Sequence, residues 1–247
     1  MDLLDIYIVI YLDNILIYSD NLEDHIKHMK KMLKRLQKNK LYASSTKYAF
    51  HQDRIEFLGF ILEANGLIID NSKIQTIQDW LVPYRVKDMQ SFLVFVNFYR
   101  QFISNYTELT SPLIGLTHKN EPWNWTTDCQ LAFNTLKETF IIAFILGHWS
   151  SDSLMILETD ASDCTLAAIL FTWIAGEVCP IAFHSRTFSL AEINYDVHDK
   201  ELLATIKAFK KWRHYLEETI DPVEVFTNHK NLTYFSETKV LSQCQAR

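Results

Sequence analysis

Three features of the sequence predict an α/β (α+β) fold. Two apolar runs, residues 6–12 and 15–18, are rich in Ile, Tyr, Val and Leu and meet at a short polar break, as a buried hairpin requires. The segment NLEDHIKHMKKMLKRLQKNK repeats apolar residues at helical spacing. From about residue 148, LMILETDAS, TLAAILFTW and VCPIAFHSR read as three successive strands. A long helix, VHDKELLATIKAFKKWRHYLE, and the strand-like DPVEVFTNH, running into another helix, come next. Strands followed by helix, strand and helix suggest a sheet layered with helices.

At 247 residues the chain suits one large domain or two modest ones, and its 48% apolar content can fill a core. The net charge of −6 excludes a uniformly basic nucleic-acid coat. It is unevenly placed: residues 1–118 carry 13 basic and 13 acidic side chains, whereas residues 119–247 carry 11 and 17. A local basic face in the first half therefore stays open. The four cysteines, Cys129, Cys164, Cys179 and Cys244, have neither CxxC nor Cys/His spacing, so reduced thiols are expected. The acidic start MDLLDIYIVIYLDN lacks the basic opening of a signal peptide, and its apolar run falls short of the ~20 residues a bilayer requires. A soluble intracellular protein is the expectation.

Asp13-Asn14 is the predicted turn of the first hairpin, since Asx residues tolerate positive φ. Leu22, Ile26, Met29, Leu33 and Leu36 then form the apolar face of a helix that Asp20 or Asn21 can cap. Its other face carries Lys27, Lys30, Lys31, Lys34, Arg35, Lys38 and Lys40, a stripe that suits phosphates or is simply solvated. In IEFLGFILEANGLIID, Asn65-Gly66 is a strong turn signal between two β-rich runs. Helices are expected over 72–81, 87–103 and 127–142, with TSPLIGLTHKNEPWNW (110–125) as a connector containing Pro112, Gly115 and Pro122. Phe92, Phe95, Phe98, Tyr99 and Phe102 fit either a core or a base-stacking surface.

Three acids stand out by position. Asp13 lies at a hairpin tip, Asp160 ends an apolar strand, and Glu201 opens a helix whose apolar face includes Leu202, Leu203, Ile206 and Phe209. A strand-end Asp and a helix-borne Glu directed at one spot offer the hard oxygens that Mg²⁺ prefers. The same residues also fit a turn and a helix dipole.

Tyr11-Leu12-Asp13-Asn14 between two apolar strands resembles the Tyr-x-Asp-Asp box of reverse transcriptases. With IVIYLDNILIYSDNLEDHIKH, FHQDRIEFLGFILEANGL, SFLVFVNFYRQFI and LETDASD in this order, the whole chain resembles the pol polyprotein of gypsy-type LTR retrotransposons. The resemblance implies the end of a polymerase palm at 1–65, a helical thumb at 66–118 and a connection at 119–147. It also implies an RNase H-like mixed-sheet domain with helices at 148–247. Asp13 then matches one polymerase metal ligand, and Asp160 and Glu201 match two of the nuclease's. Asn14 and Asn228 stand where the family has Asp, and further carboxylates expected by the family fall before Met1 and after Arg247. Val94 stands where the family usually has Gly, which implies crowded helix packing, while Tyr195 and His229 match neighbouring positions in structural roles. The implied cofactor is Mg²⁺, with Mn²⁺ as a substitute, and the implied partners are RNA–DNA hybrid or DNA duplex. With these Asn replacements the expectation is a catalytically impaired copy, without polymerase activity and with little nuclease activity. A non-catalytic nucleic-acid binder and an inert relic are the competing readings.

Overall fold

The structure, a computed structural model, describes residues 6–42, 48–119, 121–143, 145–174 and 176–227. The chain divides into two compact units, Met1–Ala64 and Asn65–Arg247.

In the first unit β1 (Ile8–Tyr11) and β2 (Asn14–Ile17) pair antiparallel, and α1 (Leu22–Lys38) packs beneath them. Asn21 is the cap, accepting the Asp24 amide at 2.9 Å. The covered face of α1 matches the predicted one only in part, through the half-buried Met29 and Leu36. Met32 is buried with Leu36 against Tyr7, Ile8 and Ile17, while Leu22, Ile26 and Leu33 are exposed. On the same side, the half-buried His28 stacks its ring on Tyr7 at 3.7 Å and its Nδ1 meets Ser19 Oγ at 2.7 Å. The β-rich run before the Asn65-Gly66 turn itself folds into a hairpin of β3 (Arg54–Phe57) and β4 (Phe60–Glu63). Its turn residues Leu58 and Gly59 have φ of 56° and 81°, the paired positive values that match the twist of antiparallel strands.

The second unit starts with β5 (Gly66–Ile69), bridged at Leu67 to Leu146. A Cβ on Gly66 would lie 2.2 Å from the Leu146 carbonyl oxygen, so this approach requires glycine. A helical layer follows: α2 (Asn71–Gln78), α3 (Val86–Phe98), a 3₁₀ turn at Arg100–Phe102, α4 (Tyr106–Gly115) and α5 (Thr127–Ile141). Lys137 donates to the carbonyls of Gln78 and Trp80 at 2.8 and 2.9 Å, placing a cation at the C-terminal end of α2. Three of the five aromatics singled out in and after α3, Phe92, Tyr99 and Phe102, are core. Phe92 meets Phe133 at 4.7 Å and Tyr99 meets Phe140 at 5.2 Å, while Phe98 alone of the five named aromatics is more than half exposed. Val94 crowds nothing, being 74% exposed, which corrects the expected packing strain.

The expected connector at 110–125 is helical as far as Gly115, with Pro112 inside α4. Proline there removes one helical hydrogen bond. Burial of Tyr106, Thr110 and Leu113 outweighs that loss.

A four-stranded sheet in the order β8-β7-β6-β9 completes the unit, from β6 (Met155–Ala161), β7 (Thr165–Ile174), β8 (Glu177–Thr187) and β9 (Glu224–Thr227). Consecutive strands pair antiparallel and β9 joins β6 in parallel. A bulge between Leu170 and Phe171 lies opposite Pro180, which cannot donate to the ladder. The edge strand β8 is covered by α4: Ser185 accepts the Thr107 amide at 2.9 Å, and its carbonyl accepts Arg100 at 2.6 Å.

After β8 come α6 (Leu190–Ile193), α7 (Val197–Lys211) and α8 (Arg213–Leu216). The face of α7 toward the sheet carries Ala204 and Ala208, with Trp212 just beyond, against Met155, Leu157, Leu166 and Leu170. Ile206 and Phe209, expected inside, are 41% and 37% exposed, because the stripe that faces the sheet runs through Ala204 and Ala208 instead. The strand-to-helix corner is fixed by a capping box. Ser189 and Glu192 satisfy each other's backbone amides, and Arg186 grips Glu192 with two bonds of 2.9 Å.

The Arg186 guanidinium, aided by Ser189, holds the Glu192 carboxyl down at about 2 from an ordinary 4.5. A lowered carboxyl pKa stabilises the fold above the ordinary value, and that stabilisation disappears as pH falls from about 4.5 to about 2. Partial exposure of the pair limits it to about 1 kcal/mol. Glu192→Gln is expected to lose that amount at pH 7 and to match the parent near pH 2 in denaturant titrations. A constant difference across that range would show that the ion pair is not its source.

Candidate functional site

The hairpin site starts with its turn. Tyr11 and Asn14 are cross-strand partners, so the loop is Leu12-Asp13 rather than the expected Asp13-Asn14. Leu12 takes φ of 54°, an uncommon value for a residue with a branched side chain, and its side chain is 86% exposed. Asp13 is therefore exposed at the tip, while Asn14 is the first residue of β2. Below the tip, Lys30, Lys31, Lys34 and Lys38 are exposed along α1. Lys27 pairs with Asp24 at 2.7 Å, and Lys31 lies 5.8 Å from the Tyr7 ring centroid.

The second site forms where β6 and β9 end side by side. Because the two strands run parallel, their carboxyl ends share one edge of the sheet, the usual place for a ligand crevice in layered α/β folds. Thr159 is the register partner of Thr227, and Asp160, exposed, follows it. Glu201 begins the second turn of α7 and is only 4% exposed. Its Oε2 accepts a hydrogen bond from Thr227 Oγ1 at 3.2 Å. Thr205, one turn further on, donates to the Glu201 carbonyl at 3.2 Å, and its hydroxyl meets that of Thr159 at 3.1 Å. The threonines thus tie β6, β9 and α7 together around Glu201. Asn228 and His229, which directly follow this strand, lie outside the described residues.

Asp160 and Glu201 are hard oxygen donors at one sheet end, a donor set that suits a divalent cation of the Mg²⁺ class. The three acids singled out in the sequence do not form one group: Asp13 belongs to the first unit, and Asp160 and Glu201 to the second. Sequence reasoning passed over two neighbours. Asp196, His198 and Asp199 bring ligating atoms within 4.8 Å of one another at the start of α7. His198 Nε2 lies 3.7 Å from Asp199 Oδ1 within that group. Lys200 is also buried, and its Nζ donates to the Asp163 carbonyl at 3.0 Å. Only the close spacing of Asp196, His198 and Asp199 was visible in the sequence. The reach of Lys200 to Asp163 spans 37 residues.

Thr227→Val keeps the shape at the end of β9 but removes the hydroxyl that Glu201 accepts. It is expected to cost about 1–2 kcal/mol in chemical denaturation, with Thr227→Ser near the parent, since a buried carboxylate loses a partner. Equal stability for Val and Ser would show that this bond contributes nothing.

Two family models match the chain. Residues 2–62 match the reverse transcriptase (RNA-dependent DNA polymerase) model, and residues 125–225 match the RNase H-like domain found in reverse transcriptase. Among similar proteins, the Tf2-7 and Tf2-3 transposon polyproteins of Schizosaccharomyces pombe are 37% and 36% identical over 227 residues, or 92% of this chain. The chain spans 17% of the length of these relatives. Among solved structures, the foamy viral protease-reverse transcriptase dRH in complex with double-stranded DNA matches 98% of this chain and 44% of its own, with a TM-score of 0.82 at 25% identity. The foamy viral protease-reverse transcriptase in complex with RNA/DNA hybrid matches 99% of this chain and 34% of its own, with a TM-score of 0.78 at 25% identity. Among the described residues no helix is long and apolar enough to cross a membrane. The chain belongs to the reverse transcriptase family of retrotransposon polyproteins and carries polymerase and RNase H-like parts of it.

Proposed function

We propose that this chain contributes to divalent-metal-dependent nucleotidyl transfer and to cleavage of RNA in RNA–DNA hybrids. Residues 1–65 act as the end of the palm, 66–118 as the thumb, 119–147 as a connection and 148–247 as the RNase H-like domain. The observation that supports this best is the placement of Glu201 against Thr227, at the shared carboxyl end of β6 and β9, next to Asp160. Asp160 and Glu201 would hold Mg²⁺ there, with Mn²⁺ as a substitute, and Asp13 would serve the polymerase centre. The bound ion supplies charge stabilisation at the phosphate undergoing reaction. The protein's own part is to fix two carboxylates on rigid elements and leave one of them, Asp160, open to solvent.

The same reasoning supports impaired catalysis. Asn14 and Asn228 each replace a charge with an amide, and electrostatic stabilisation provides most of the rate in such centres. About 1.4 kcal/mol corresponds to tenfold in rate. Hybrid cleavage with Mg²⁺ or Mn²⁺ is therefore expected to be slow in this chain, at least tenfold faster in Asn228→Asp, and lost in Asp160→Asn of either background. Cleavage that survives Asp160→Asn would remove the nuclease assignment.

Lys27, Lys30, Lys31, Lys34, Arg35 and Lys38 are the proposed contacts to the backbone of a hybrid or duplex. Each phosphate contact makes affinity steeper in salt. Reversing Lys30, Lys34 and Lys38 to Glu is expected to weaken hybrid binding at least tenfold at about 50 mM salt and to flatten its salt dependence. An unchanged slope would assign the stripe to solvation alone.

A further inference from the structure

Three successive ionisable residues, Asp199, Lys200 and Glu201, are each no more than 8% exposed. Successive helix positions point about 100° apart, so a single covering surface cannot account for all three. Lys200 is the unusual member. Its ammonium donates to the Asp163 carbonyl at 3.0 Å and lies 5.7 Å from the Phe188 ring centroid. Neither contact is a carboxylate, and a buried cation held by a carbonyl and a ring is costly unless the arrangement serves a purpose.

The carbonyl it holds belongs to the turn between β6 and β7, which begins two residues after Asp160. Within that turn the Ser162 amide donates to the Thr165 carbonyl at 2.9 Å, and the Thr165 amide donates to Ser162 Oγ at 3.1 Å. The next carbonyl, of Cys164, accepts the Phe188 amide at 2.8 Å. The turn is thus pinned from β8 by the backbone of Phe188 and from α7 by Lys200, with the Phe188 ring against the ammonium.

We infer that Lys200 is a positioning residue: it ties the strand end presenting Asp160 to the same helical turn that carries Glu201, and so sets the separation of the two carboxylates. This rests on the proposed nuclease reading only for what the carboxylates do, since the tether itself is a property of the fold. One stretch of α7 supplies one carboxylate through residue 201 and governs the other through residue 200.

The sign of the expected effect separates this role from simple electrostatics. Removing a positive charge near a cation site should by Coulomb's law tighten cation binding. If Lys200 positions Asp160, its removal weakens binding instead. The test compares the full chain with Lys200→Met and Lys200→Arg by amide hydrogen exchange without metal and by Mn²⁺ titration followed by electron paramagnetic resonance. Lys200→Met is expected to speed exchange at the Thr165 and Phe188 amides at least tenfold, to leave core amides such as Leu170 unchanged, and to weaken Mn²⁺ binding at least fivefold. Lys200→Arg is expected to restore most of both.

Unchanged exchange at Thr165 and Phe188 would overturn the tether, and tighter or equal Mn²⁺ binding in Lys200→Met would overturn the positioning role. Wild-type protein that takes up no Mn²⁺ would overturn the nuclease reading instead, and the exchange rates would then decide the tether alone. If Lys200→Met does not fold, Lys200→Gln, neutral and still polar, carries the same two readouts with the same outcomes.

Discussion

A parallel pair of strands can be made only by a chain that leaves the sheet and returns to it, and the pairing of β6 with β9 imposes that constraint here. The chain leaves from β8, on the far side of β7, and must pass over the sheet before β9 can form. α7 makes that passage. It lies close because Ala204 and Ala208 present almost no bulk to the sheet. Larger side chains at those two positions would lift the helix and pull Glu201 away from Thr227. The nuclease-like site is therefore a consequence of how tightly the crossover packs, and the capping box at Ser189 and Glu192 sets the angle at which the crossover begins.

The hairpin site rests on a different device. No crossover brings Asp13 to its place; a two-residue loop does, and it does so by holding Leu12 at positive φ. Asp and Asn tolerate that conformation far better than Leu, yet here both stand just after it. Cross-strand pairing of Tyr11 with Asn14 overrides the local preference. The uncommon backbone conformation falls on Leu12, whose apolar side chain is left 86% exposed, and the acid is exposed at the tip. Strain located at a proposed catalytic tip fits the general pattern that uncommon backbone conformations persist where function needs them.

How much of this could be read from the sequence depended on how far apart the interacting residues lie. The alternation along β6, β7 and β8 was visible because each strand has an inner and an outer face within a few letters, and the order of strands and helices followed from it. Asp160 and Glu201 were visible by position and by resemblance. What could not be read were the contacts between distant residues: Thr227 to Glu201, Thr205 to Thr159 and Lys200 to Asp163, each joining residues 26 to 46 positions apart. The faces of α1 and α7 were misread for a related reason. Counting apolar letters favoured Leu33 and Phe209, whereas the fold buried Met32 beside a stacked histidine and chose alanines for closeness. Pro112 and Gly115 suggested a loop, but the burial of Tyr106 and Leu113 decided for a helix, since tertiary packing outweighs a local propensity of a few kcal/mol.

The two sites differ in what an amide in place of a carboxylate would do to them. At the hairpin, Asn14 is held in the ladder opposite Tyr11, so restoring a carboxylate there would add charge at an existing strand position without moving the turn. In the sheet, Glu201 is buried and bonded to Thr227, so the fold itself holds that carboxyl group in place. A second anion beside a buried carboxylate is repelled unless a cation lies between them.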